Sequence, residues 1–205
     1  MNEAILRDLN ITYQPHAILV YGSYADGTAG PASDFDALLI CDEIPVSHDG
    51  RTVDGVPLDV FLHSTAELVA HLDPSDYLAT YDAILVRDDR GMGAKLKSEV
   101  RAYVDQFPPI SADEKQHWRE WCEKMLHRAA QGDAEGYYRW HWVITDSLDI
   151  YCQLRDQFYF GPKKTLLRMA REDPEGHRLF FHAARQMDRT ALAAWLSHVI
   201  APSGS

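Results

Sequence analysis

Apolar positions along the chain follow two different periods. In the first half, short apolar runs alternate with turn residues. Ala17 to Tyr21 is one run and Gly22 ends it. Phe35 to Cys41, Val56 to Leu62 and Ala83 to Val86 are three more. All four have the length and the β-branched or aromatic content of buried strands. Helical stretches lie between them, at Ser64 to Leu72 and Met92 to Phe107. Ser64, with Glu67 three residues on, is a candidate N-cap. Strands mixed with helices over this span predict an α/β or α+β domain.

Beyond Phe107 the period becomes helical. Pro108 and Pro109 end the preceding helix, and Ser111 is placed to cap the next. Trp118, Trp121, Cys122, Met125, Leu126 and Ala129 share one face, and Gln131-Gly132-Asp133 breaks it. Trp140, Val143, Ile144, Leu148, Tyr151, Leu154 and Phe158 form a second face, which Gly161-Pro162 breaks. Leu179 to Val199 carries one or two further helical segments. The expected organisation is a first domain over residues 1–107 and a helical bundle over 111–201.

Charge sharpens the division. The chain has 205 residues and a net charge of −11. Residues 1–109 hold 7 Lys/Arg against 18 Asp/Glu, whereas residues 110–205 hold 13 of each. An acidic first half argues against general nucleic-acid binding, which needs clustered cations. Acid gathered in a cleft would suit a divalent cation. No apolar run is long enough for a membrane span, and the first residues have no signal-peptide pattern, so a cytoplasmic protein is expected. Cys41, Cys122 and Cys152 are far apart in apolar settings and read as buried core thiols.

The candidate chemistry lies between Ala17 and Cys41. A strand runs into Gly22-Ser23, and Asp34-Phe35-Asp36 opens the next strand. Side chains alternate along a strand, so Asp34 and Asp36 point one way and Phe35 points into the core. Two adjacent carboxylates repel unless a cation holds them, and hard oxygen donors suit Mg²⁺ or Mn²⁺. Asp59 stands between apolar neighbours in VPLDVFL. A mid-strand aspartate there is explained if Asp34 and Asp36 lie on the adjoining strand and share a metal with it. Gly22 permits close approach of a phosphate to the backbone, and Ser23 can bind phosphate oxygens.

Gly22-Ser23, ten residues, Asp34-Phe35-Asp36 and a later Asp59 together resemble the nucleotidyltransferase superfamily that includes DNA polymerase β. The resemblance covers roughly residues 10–90 and implies a mixed sheet flanked by helices, an α+β domain ahead of the helical bundle. It implies transfer of a nucleoside monophosphate, AMP from ATP for preference, from a nucleoside triphosphate to an acceptor hydroxyl. Two Mg²⁺ ions, replaceable by Mn²⁺, would be held by Asp34, Asp36 and Asp59. Gly22 and Ser23 would bind the triphosphate, and Asp59 would also take the acceptor proton. Size and the helical second half are similar to small bacterial antibiotic nucleotidyltransferases for aminoglycosides or lincosamides, some of them dimers. An aminoglycoside-type acceptor and a homodimer are therefore expected. A protein-modifying, AMPylating antitoxin and a non-catalytic nucleotide-binding module are the alternatives.

Residues of the second half offer less specific signals. Lys163 and Lys164 follow Gly161-Pro162 and open a helix. They would neutralise the leaving pyrophosphate, or else form a solvated face. Asp146 and Asp149 read as surface aspartates, with Asp146 also a candidate on the acceptor side. The ten histidines form no HxxxH or HExxH pair.

Overall fold

A computed structural model describes residues 2–201. The chain divides into two compact units between Gln106 and Phe107.

The first unit begins with helix α1, Glu3–Tyr13, capped by Asn2, whose side chain accepts from the Ala4 and Ile5 N–H groups. The elements that follow are β1 (Ala17–Val20), α2 (Gly22–Asp26), β2 (Phe35–Cys41), β3 (His48–Asp49), β4 (Thr52–Val53), β5 (Val56–Ser64) and α3 (Thr65–Ala70). A 3-10 segment at Pro74–Thr80, β6 (Ile84–Asp88) and α4 (Met92–Asp105) complete the unit. The sheet runs β3-β5-β2-β1-β6, with β4 pairing β5. It is mixed: β2 and β5 are parallel, and the other pairs are antiparallel.

Strand alternation sorts the sheet's side chains onto two faces. Ile5 and Leu9 of α1 cover Ile18, Val20, Phe35, Ala37, Leu39, Leu58, Val60 and Leu62. Leu68, Tyr77, Leu96 and Val100 pack with Ala17, Leu19, Leu38 and Ile40 on the other side. Strands buried on both faces read as continuous apolar runs, which is why β2 was visible in the sequence from end to end.

Several expected boundaries move by a few residues. Tyr21 lies outside β1 and caps α2. The helix expected at Ser64 to Leu72 is α3, with Ser64 as its cap and its end at Ala70. The helix from Met92 ends at Asp105. Asp88 accepts from the Gly93 and Ala94 N–H groups at the start of that helix. The elements without a strong sequence signal are α1 and the hairpin strands β3 and β4. β4 turns into β5 at Asp54-Gly55, both with positive φ (52° and 78°), the conformation of a two-residue hairpin turn.

The second unit consists of α5 (Ala112–Ala129), α6 (Ala134–Leu154), α7 (Pro162–Glu172), α8 (Pro174–Gln186) and α9 (Arg189–Ile200). Ser111 and Glu114 form a reciprocal capping box on α5. Prolines begin α7 and α8, where a missing N–H costs nothing. Phe158 lies past the end of α6, a correction to the expected helical face. The core gathers Cys122, Met125, Trp140, Val143, Leu148, Tyr151, Met169, Leu192 and Trp195. Trp195 is fully buried and its indole N–H donates to the Ser147 hydroxyl at 2.8 Å. Asp173 accepts from the Tyr151 hydroxyl, from His198 and from the Gly176 N–H.

The three cysteines are buried and free. Burial pushes the Cys41 thiol up to about 11 and Cys122 up to about 12, which keeps both protonated.

Candidate active site

The parallel pairing of β2 with β5 sets Asp36 directly beside Asp59. Asp36 shares its face with Leu38 and Ile40, and Asp59 alternates with the buried Leu58 and Val60. Both carboxylates therefore stand on the α4 side of the sheet, near the start of β2. Asp34 immediately precedes that strand. One carboxylate oxygen from each of Asp34, Asp36 and Asp59 lies within 4.8 Å of the others. Asp34 is exposed, and Asp36 and Asp59 are partly buried.

Chain geometry brings Gly22 and Ser23 to the same end of the sheet. β1 runs antiparallel to β2, so its end meets the start of β2, and the Tyr21 N–H donates to the Asp36 carbonyl at 3.1 Å. Gly22 has φ 65°, and a Cβ there would collide with Asp36 Oδ2. The glycine is thus required twice, by backbone conformation and by the carboxylate pressed against it. Ser23 is 7% exposed, and its buried Oγ has no hydrogen-bond partner among the described residues. A buried hydroxyl without a partner is costly and marks a place where a ligand oxygen would be welcomed.

These residues fit a divalent cation with a phosphate. Three like charges converge on one point, and a hard cation offsets their repulsion. Ser23 adds a hydroxyl next to Gly22 for an anionic oxygen.

Two further side chains border the cluster. His48 on β3 lies 2.7 Å from Asp59 through Nε2 and Oδ1. Burial, with the nearby Asp59 and Asp36 carboxylates, raises the Tyr21 phenol well above its ordinary range, so it keeps its proton. His48 carries no signal of its own in the sequence, being one of ten histidines and lying eleven residues ahead of its partner on a two-residue strand. Tyr21 was visible only as the end of an apolar run.

The remaining candidates belong to the second unit. Lys163 and Lys164 occupy the first turn of α7, and Lys164 Nζ lies 5.3 Å from the Phe160 ring centre. Arg168, one turn on, donates to Cys152 Sγ at 3.2 Å. Asp146 is partly buried. Burial raises its carboxyl above the usual range, Trp142 opposes this by hydrogen bonding, and Asp149 adds to the rise.

Among the described residues no helix is long and apolar enough to cross a membrane. A search of curated proteins gave no match. The family model of the nucleotidyltransferase domain matches residues 3–67, a span holding Gly22, Ser23 and the three aspartates. That match supports kinship with the DNA polymerase β-like superfamily and implies a nucleoside triphosphate substrate. Residues 3–67 are thus similar to a nucleotidyltransferase domain, and the chain is a transferase of phosphorus-containing groups.

Proposed function

We propose that the protein moves a nucleoside monophosphate, AMP from ATP, onto the hydroxyl of a small aminoglycoside-type molecule. The observation that carries this reading is the convergence of Asp34, Asp36 and Asp59 beside Gly22-Ser23. In the transfer, the acceptor oxygen bonds to the α-phosphorus as the bond to the α,β-bridging oxygen breaks and pyrophosphate leaves. Asp59 takes the acceptor proton. Asp34 and Asp36, with Asp59, would hold Mg²⁺, and Ser23 with the backbone after Gly22 would hold phosphate oxygens. Bound Mg²⁺ would neutralise phosphate charge and lower the acceptor hydroxyl's pKa.

Residues 1–107 supply the nucleotide chemistry in this reading, and residues 111–201 select the acceptor. Lys163 and Lys164 enter on charge alone, as ammonium groups for the pyrophosphate. The acidic first half favours a polycationic acceptor over RNA.

The test is pyrophosphate release with Mg²⁺ and each of the four nucleoside triphosphates, with aminoglycosides and lincosamides as acceptors. Release should need an acceptor and should vanish in Asp34→Ala and Asp36→Ala, whose circular dichroism stays that of the folded protein. Nucleotide binding without release on any small acceptor would redirect the reading to a protein acceptor. Unchanged release in the variant carrying both Asp34→Ala and Asp36→Ala would remove the assignment of the carboxylates.

A further inference from the structure

The hydrogen bond between His48 and Asp59 links half-exposed groups, 46% and 42% accessible in their side chains. An ionised carboxylate has no proton to give, so the imidazole Nε2–H donates. An exposed pair of this kind adds little to stability. Its position gives it another use.

His48 has little freedom to leave. β3 pairs antiparallel with β5, His48 opposite Phe61 and Asp49 opposite Val60. Asp59, two residues before Phe61, is the diagonal neighbour of His48 on the same face. Asp49 turns to the opposite face, where it is 3% exposed. There Arg51 donates to it through Nε and Nη2, and the Tyr13 hydroxyl donates at 2.9 Å. Arg51 also reaches Asp8 of α1 at 3.0 Å. The short strand is therefore tied to α1 through Asp49, and alternation presents His48 to the carboxylates. Phe61 adds a second restraint: the two rings lie 4.8 Å apart with their planes at 43°.

We propose that His48 is a positioning residue for the transfer. It holds Asp59 Oδ1 and so keeps that carboxylate turned toward Asp34 and Asp36. Without it, repulsion among three converging carboxylates would swing the half-exposed Asp59 toward water. The inference rests on the reading of the three aspartates as a cation-holding set.

Mn²⁺ alone, titrated into the full chain and followed by water-proton relaxation, separates the two ideas without turnover. His48→Ala should weaken Mn²⁺ binding about tenfold, as loss of a partner that orients a ligand does. His48→Gln, whose amide can donate from nearly the place of Nε2, should restore most of it. In the transfer assay His48→Ala should lower kcat about tenfold and leave KM for the nucleotide within about twofold. Binding by His48→Ala equal to wild type, with binding lost in Asp34→Ala, overturns the role of His48 and leaves the cation reading standing. A Gln variant no better than Ala also overturns it, because the loss then follows the ring and not the donated bond. Wild-type binding no stronger than that of Asp34→Ala overturns both.

Discussion

A methyl group at position 22 would occupy space that the Asp36 carboxylate holds. The same position has φ 65°, where an L side chain is strained. Gly22→Ala is therefore expected to cost about 1–3 kcal/mol of stability, read as a lower urea midpoint. Because the methyl displaces Asp36 itself, Mn²⁺ binding should fall more than the stability loss explains. Gly22 was legible in the sequence as a glycine after a strand. Its contact with Asp36 was not, since that depends on β1 and β2 lying antiparallel with their ends together.

β3 shows how two residues can matter as an element. Asp49 is buried, and burial alone would raise its carboxyl; the Arg51 and Tyr13 hydrogen bonds outweigh this and hold it below the usual carboxylate range. Arg51→Ala leaves that buried carboxylate short of partners and should cost about 1–3 kcal/mol. The sign with pH follows from the lowered value. Stability from Asp49 is present above the ordinary carboxylate pKa of about 3.9 and is lost as pH falls toward the folded-state value. Urea midpoints measured from about pH 5 down to about pH 3 should therefore fall less for Asp49→Asn than for wild type. Element type was legible where an apolar run was long enough, as in β2 and β5, or where a helical period repeated, as in α5 and α6. β3 and β4 hold two residues each, too few for any period. The clamp joins Asp8, Tyr13, Asp49 and Arg51, which only tertiary packing brings together. His48 was hidden for the same reason.

At the scale of the molecule, the fold class was legible because the apolar period changes from strand-like to helical around Phe107. The convergence of Asp34, Asp36 and Asp59 was legible because alternation fixes which way each points once their strands adjoin. The two units have separate cores: one packs α5 to α9, and the sheet's two faces make the others. Trp118, Trp121, Trp140, Trp142 and Trp195 account for the five tryptophans of the chain, and all follow residue 107. The protein thus contains its own optical label. Indole emission reports on the helical unit, and the sheet-bearing domain is dark in that channel. In urea, Gly22→Ala and Arg51→Ala should bring forward part of the far-ultraviolet dichroism transition while the tryptophan transition stays in place. A tryptophan transition that moves with it would mean that the dark domain's losses are felt in the lit one.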